Sequence, residues 1–301
     1  MEKIKVAIIG WGNVGRFCKQ AVERAPDMQL VGVVRRPQSI GKDIAELEGL
    51  SVVTDVGELG TVDVALVSIP SREAPDKVRE MILKGIPTVD SFDVHDQILA
   101  TKKALNQLAV QHRTVSIFGA GWDPGTDSAV RTILKVIAPV GKTTTTFGGT
   151  TGGRSMGHTA AVKAIAGVKD AVSLTLPNGA GRHKRQVYIE LMPDADFEKI
   201  TAQIRQDPYF IHDATDVVAV ENVRRFDTMN HGGRLERLTQ DIQQMYTIEG
   251  VNPMMTANVM VASARAAYRA QQAGQFGAFT FIERPLIDFL PGSFEERLEG
   301  Y

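Results

Sequence analysis

The chain has 301 residues, room for two domains, and its 43% hydrophobic and 23% charged residues are ordinary for a globular protein. With 34 basic and 35 acidic residues the net charge is −1, so no global basic field draws it to nucleic acid or to a membrane. The lone cysteine, Cys18, excludes an intramolecular disulfide and a cysteine-rich metal site.

No apolar run approaches the roughly 18 residues of a membrane helix. The start, Met1 to Val6, lacks the basic stretch and long apolar core of an export signal, so a cytoplasmic enzyme is expected. From Ile4 to Ile9 an apolar, β-rich run ends in glycine, as a buried parallel strand does. A helix is predicted over Val14 to Arg24, stopped before Pro26, and a second strand over Leu30 to Val34. Strand Val62 to Val67, helix Lys77 to Lys84, strand Pro87 to Val89, helix His95 to Gln111 and strand Thr114 to Phe118 follow. This alternation implies an α/β fold of the Rossmann type, a doubly wound parallel sheet.

After Gly121-Trp122-Asp123-Pro124-Gly125 the pattern changes. A helix is expected over Gly125 to Ile137, a strand over Thr143 to Phe147 and a loop over Gly148 to Gly153. Val172 to Leu176, Gln186 to Leu191 and Val217 to Val220 read as strands, with a helix near Phe197 to Arg205. A second, α+β and mainly antiparallel domain is therefore predicted. The Ala/Met-rich helix Asn252 to Ala273, closed by Gly274, is expected to return to the first sheet. The expected division is a dinucleotide-binding domain, 1–121 with 252–301, and a substrate-binding and dimerisation domain, 122–251.

Gly10-Trp11-Gly12-Asn13-Val14-Gly15 stands directly after a strand and opens a helix, the context that gives a G-x-G-x-x-G motif its value. Gly10 allows the tight turn, Gly12 the approach of a pyrophosphate to the backbone, and Gly15 close helix–sheet packing. The alternative is a glycine turn without ligand. At the end of the second strand, where an NAD enzyme carries an acid, the chain has Arg35-Arg36. A guanidinium can hold a 2′-phosphate by bidentate bonds, so NADP is the expected cofactor, against the plainer reading of two solvated arginines.

Ligands of such sheets sit beyond the carboxyl ends of the strands. Ser68 to Ser71, Asp90 to His95 and Gly119 to Gly125 reach that edge, and two of these segments present carboxylates, Asp93 and Asp123. Paired acids beside a nicotinamide suit a cationic amine, which they can bind and deprotonate. Singly, each Asp reads as a loop or helix cap.

At these residues the chain resembles the meso-diaminopimelate dehydrogenase family, and the likeness covers nearly its whole length. It rests on Gly10 to Gly15 with Asn13, Pro26-Asp27-Met28, Arg35-Arg36, Asp90-Ser91-Phe92-Asp93 before His95, and Gly121-Trp122-Asp123-Pro124-Gly125. Ser155-Met156-Gly157-His158, Thr175-Leu176-Pro177, His183-Lys184-Arg185-Gln186, His231-Gly232-Gly233 and Gly277-Ala278-Phe279-Thr280 continue it. The resemblance implies reversible, NADP-dependent oxidative deamination at the D-centre of meso-2,6-diaminopimelate. The products are L-2-amino-6-oxopimelate, ammonia and NADPH, on the route to lysine.

By resemblance, Asp93 and Asp123 hold the D-centre amine, with Trp122, Met156 and Gly157 shaping that end. Thr175, Arg185, His231 and Asn252 grip the distal L-centre, Phe147 lines the wall, and Ser71 and Val14 join the cofactor contacts. A homodimer through the second domain is implied, and no metal is expected, since the nicotinamide accepts the electrons. Relative to the family pattern the loop between Phe147 and Met156 is longer and Pro177 to Arg182 shorter, which leaves room for other D-amino acids. Taken alone, Trp122 and Phe147 read as packing residues, His231 as a structural hydrogen-bonder, and Asn252 before Pro253 as a helix cap.

Two rivals remain. A sugar or polyol dehydrogenase shares the layout but carries a Glu-Lys-Pro lysine, and Gly85-Ile86-Pro87-Thr88-Val89-Asp90 has none. A non-catalytic NADP-binding sensor needs the glycines but not Trp122-Asp123-Pro124.

Overall fold

The structure, a computed structural model, describes residues 2–41, 44–149, 152–179 and 182–299. The chain divides into two compact units, Met1–Ala129 with Met254–Tyr301, and Val130–Pro253. The two division points fall inside one helix and at the first residues of another.

In chain order the first unit runs β1 (Ile4–Ile9), α1 (Asn13–Arg24), β2 (Met28–Val34), β3 (Val52–Val53) and β4 (Val64–Val67). It continues with α2 (Ala74–Leu83), β5 (Thr88–Asp90), α3 (Ile98–Gln111), β6 (Val115–Ile117) and α4 (Thr126–Ile137), whose first residues belong to it. All pairings are parallel, with Val6 opposite both Leu30 and Val64. Val6, Ala7, Ile8, Val64, Ala65 and Leu66 are fully buried, which is why these strands read as unbroken apolar runs rather than alternating ones.

The second unit holds β7 (Lys142–Phe147), β8 (Gly153–Arg154), α5 (Met156–Lys163), β9 (Val168–Pro177), β10 (His183–Leu191), α6 (Phe197–Gln206), β11 (Ala214–Ala219), β12 (Asn230–Leu238) and β13 (Gln243–Val251). They form two sheets, ordered β11-β10-β9-β8 and β13-β12-β7. Val162 of α5, Ile200 and Ile204 of α6, and Phe210 close a core over Val187 and Ile189 of β10. The pairing of β10 with β11 is parallel and the others are antiparallel. A parallel pair needs a crossover, and α6 supplies it.

Several elements were not expected, among them α5, β8, β12 and β13 of this unit, where Gly153 opens β8 instead of ending a loop. Gly157 stands in the first turn of α5, and Gly232-Gly233 lie within β12. In the fold, a Cβ on Gly232 would stand 2.4 Å from the Ile248 carbonyl oxygen, so strand proximity requires the glycine.

The chain then returns through α7 (Asn252–Gln272), β14 (Gly277–Phe279) and α8 (Phe294–Leu298). Strand β14 adds parallel to β6, completing the seven-stranded order β14-β6-β5-β4-β1-β2-β3. Ala257, Met260, Ala264 and Ala267 of α7 join the core of that sheet. Arg265 locks the helix there by a bidentate pair to Asp27, 2.7 Å on each arm. Among the described residues, no helix is long and apolar enough to cross a membrane.

Candidate active site

The first set of site residues lies along the carboxyl edge of the seven-stranded sheet. Gly10 follows β1 with φ +97°, and a Cβ there would meet Ile69 at 2.6 Å. A Cβ on Gly15 would stand 2.4 Å from the Gly10 carbonyl oxygen, so α1 can lie this close to the turn only with glycine. Gly12 is different: nothing lies within 4 Å of its ideal Cβ, and it is the N-cap of α1 with no side-chain cap. No acid stands in the first turn, which Asn13, Val14 and Gly15 open. The helix end thus presents N–H groups and positive potential to an anion, and these residues fit a dinucleotide pyrophosphate.

Arg35 and Arg36 follow β2 directly. Arg35 N–H donates to the Val53 carbonyl at 2.9 Å, Arg36 side chain is exposed, and no carboxylate pairs with either guanidinium among the described residues. Arg35 borders a cavity of ≈ 420 Å³ whose walls include Ile40, Ile44, Leu47 and Val52.

After β4, Ser71 Oγ donates to Asp93 Oδ1 at 2.7 Å and accepts from the Asp93 N–H at 3.3 Å. Ser71 is therefore bound to the segment that follows β5. After β6, Gly121 and Gly125 bridge, the peptide Asp123-Pro124 is cis, and Trp122 is buried at 6% exposure. Trp122 carbonyl oxygen accepts from Thr126 Oγ1 and the Asp127 N–H, starting α4. His95 Nε2 lies 3.8 Å from Asp123 Oδ2, so the segments carrying Asp93 and Asp123 meet through it.

Beneath them is a residue whose role sequence reasoning passed over. Asp90, at 0% exposure, accepts the Phe92 N–H at 2.9 Å and the Gly119 N–H at 3.1 Å on one oxygen. One carboxyl therefore joins the loop after β5 to the loop after β6. Burial pushes its pKa up to about 7 against the opposing pull of those two donors.

The second set lies in the second unit. Thr175 and Arg185 are register partners on β9 and β10, and Arg185 Nη1 donates to Thr175 Oγ1. The face they share also carries His183, two residues before Arg185. Arg185 Nε donates to Asp213 Oδ2 at 2.6 Å, and His183 Nε2 lies 3.1 Å from Arg185 Nη2 and 3.3 Å from Asp213 Oδ1. Burial raises the Asp213 pKa, but the His183 hydrogen bond and the Arg185 charge outweigh it and hold the carboxyl at about 2. Asp213 was not singled out from the sequence, because it lies in the loop between α6 and β11 without a motif.

Phe147 ends β7 opposite Gly233, with its ring edge-on to His183 at 5.7 Å. Met156 and Gly157 open α5, where Ser155 Oγ and His158 Nδ1 share a hydrogen bond of 2.7 Å. His231 on β12 is buried, and its Nδ1 accepts the Gly232 N–H at 2.7 Å. Burial takes its pKa down to about 4. Gly153 of β8 lies against it, since a Cβ there would stand 2.6 Å from the His231 Cα. Asn252 donates through Nδ2 to the Arg154 carbonyl at 2.9 Å. Thr150-Thr151 and Ala180-Gly181, parts of the two loops that depart from the family pattern, lie outside the described residues.

Two family models match the chain: diaminopimelic acid dehydrogenase C-terminal domain over residues 121–181, and oxidoreductase family, NAD-binding Rossmann fold, over 4–89. The meso-diaminopimelate D-dehydrogenase of Bacteroides fragilis is 46% identical over 301 residues, covering 98% of each chain. The chain belongs to the meso-diaminopimelate D-dehydrogenase family. Among solved structures, the C. glutamicum DAP dehydrogenase in complex with DAP superposes with TM-score 0.86 at 30% identity over 99% of both chains. An engineered D-amino acid dehydrogenase bound to NADP+ gives TM-score 0.85 at 28% identity over 99% of both. As a member of this family the protein is an amino-acid dehydrogenase, an oxidoreductase with a Rossmann-type domain and a second α/β domain.

Proposed function

We propose that the protein is an NADP-dependent meso-diaminopimelate D-dehydrogenase. It oxidises the D-centre of meso-2,6-diaminopimelate reversibly to L-2-amino-6-oxopimelate with release of ammonia, supplying or draining the lysine precursor pool. The observation that carries this reading is the presence of two chemically distinct polar sets on one chain. Carboxylates Asp93 and Asp123, on segments that His95 joins, supply one, and a buried cation, Arg185, bonded to Thr175, is the centre of the other. A substrate with two amino-acid ends needs two such sets; a simple amine or alcohol does not.

In this reading Gly10, Gly12, Asn13, Val14, Gly15 and Ser71 hold the dinucleotide, and Arg35 and Arg36 hold its 2′-phosphate. The bound nicotinamide supplies the hydride acceptor. Asp93 and Asp123 bind the D-centre ammonium, and Asp123 takes a proton from it, so that the lone pair can form the imine as the Cα–H bond breaks. Trp122, which is buried, and Met156-Gly157 limit water at that centre until one molecule adds to the imine carbon and ammonia leaves. Phe147, Thr175, Arg185, His231 and Asn252 hold the distal L-centre. D-amino acids without that centre react more weakly.

Residues 1–121 with 252–301 would then be the cofactor domain, and 122–251 the substrate and dimerisation domain. A homodimer through the latter is supported by the exposed apolar side chains Val136, Ile137, Val140, Leu238 and Met245 of the second unit.

The test is NADPH formation with separate diaminopimelate isomers. Turnover is expected with the meso isomer and not with the L,L isomer; a lack of NADPH with the meso isomer sinks the reading. For the cofactor, Arg35→Ala with Arg36→Ala should cut the preference for NADP over NAD by roughly tenfold or more.

A further inference from the structure

We propose that Asp213 is a specificity-determining residue, the anionic half of a charge pair with Arg185 that reads the distal α-amino acid as a zwitterion. The inference rests on the function proposed above. A buried arginine needs a counter-ion, and one reading of Asp213 ends there. The geometry points further. The Asp213 carboxylate contacts Arg185 Nε at 2.6 Å and His183 Nε2 at 3.3 Å. A carboxylate offers about four acceptor positions, so it retains capacity for another donor. Its side chain is 18% exposed, against 10% for Arg185, so the carboxylate is the more open of the two paired groups.

Charge balance supplies the second step. A site for a bare carboxylate gains from an unneutralised cation, and an aspartate on that cation weakens it. A site for an α-amino acid gains from both signs, because ammonium and carboxylate stand on one carbon. His231, held at about 4, and His158, held well below the ordinary value, add no positive charge at neutral pH. The cluster therefore sets the Arg185 cation and the Asp213 anion side by side, with His183 touching both.

The loop also fixes Asp213 in place. Phe210, 1% exposed in the second unit's core, meets the His158 ring edge-on at 4.9 Å, and its carbonyl accepts the Asp213 N–H at 3.0 Å. Thr215 Oγ1 donates to the Asp213 carbonyl at 3.1 Å. A carboxylate anchored on both sides costs little to order when a ligand arrives.

Steady-state kinetics with meso-diaminopimelate and with D-2-aminopimelate, which keeps the distal carboxylate but lacks the distal ammonium, reads the proposal. In Asp213→Asn the KM for meso-diaminopimelate should rise roughly ten- to a hundredfold with kcat nearly unchanged, as for loss of a hydrogen bond to a charged group. The KM for D-2-aminopimelate should stay level or fall. Asp213→Glu, which keeps the charge, should recover part of the preference, and the wild-type ratio of the two KM values is informative even where a variant folds poorly. If both KM values rise together in Asp213→Asn, or neither moves, Asp213 merely holds Arg185 and the proposal is overturned. If the wild type turns over neither substrate, the function proposed above fails, and this inference with it.

Discussion

Two aspartates in the same chain end in opposite electrostatic states. In the first unit Asp90 is fully enclosed, meets only backbone donors, and burial takes its pKa up to about 7. In the second unit Asp213 is also desolvated, yet His183 and Arg185 take it down to about 2. The first carboxyl is a staple that joins two loops; the second is a charge displayed against another charge. The first unit's set is built from loops at strand ends and held by main-chain bonds. In the second unit the polar cluster centres on residues within strands, held by side-chain bonds. Removing a group from each should therefore damage different kinetic constants.

The largest effect is expected from Asp123→Ala. Loss of a positioned proton acceptor should lower kcat by about 10²- to 10⁴-fold, with NADP binding nearly unchanged because the glycine turn is untouched. Stopped-flow or steady-state turnover with titrated cofactor checks this; retained kcat would end the assignment of Asp123 as acceptor. Arg185→Met comes next and should act on the other constant. The KM for meso-diaminopimelate should rise by about a hundredfold, while small D-amino acids that lack a distal carboxylate lose little. The variant also leaves Asp213 without its cation, so urea unfolding should show a loss of about 2 kcal/mol, discounted from the fully buried case because Asp213 is partly solvated. If kcat falls and KM does not rise, the contrast between the two units breaks down.

Asp90→Asn tests the staple. A carboxyl whose pKa is raised holds its proton more tightly in the native chain than in the unfolded one. Its contribution is present below about pH 4 and is lost as the pH rises through about 7. Wild-type stability should therefore carry a falling component across that window, of about 2 kcal/mol after relaxation. The Asn variant should lack it, while keeping the oxygen that accepts from Phe92 and Gly119. Unfolding midpoints at pH 5 and pH 8 decide it, and an identical pH slope in both proteins means that Asp90 is ionised throughout.

The same contrast explains what was legible in the sequence. Motifs of the first unit are contiguous: Gly10 to Gly15 and Gly121 to Gly125 each bring their chemistry within six residues, after apolar runs that announce buried strands. Arg185 and Thr175 are partners only through the β9–β10 register, and no local spacing reports register. Resemblance found them where periodicity did not. Asp213 escaped both routes, since its position depends on a parallel crossover that the reading of a mainly antiparallel domain did not contain. Strands β12 and β13 were missed for a related reason: glycines that permit close strand approach look like loop signals in one dimension.

The smallest expected effect separates a support from a reacting group within the first unit. Ser71 was predicted as a cofactor contact, and the structure places its hydroxyl on Asp93, donating at 2.7 Å while the Asp93 N–H donates back at 3.3 Å. Ser71→Ala removes both of these hydrogen bonds at a half-buried site, worth roughly 1–2 kcal/mol together, hence roughly five- to thirtyfold in kcat/KM. A cofactor contact and an Asp93 support divide that loss differently. Loss of a direct contact raises the Kd for NADP and leaves kcat at saturation alone. Loss of support lets Asp93 rotate away from the ammonium, so kcat falls at saturating NADP and the Kd stays put. Fluorescence titration of NADPH beside saturated turnover distinguishes the two. A shift confined to Kd would return Ser71 to the dinucleotide and leave Asp93 to be held by its own backbone.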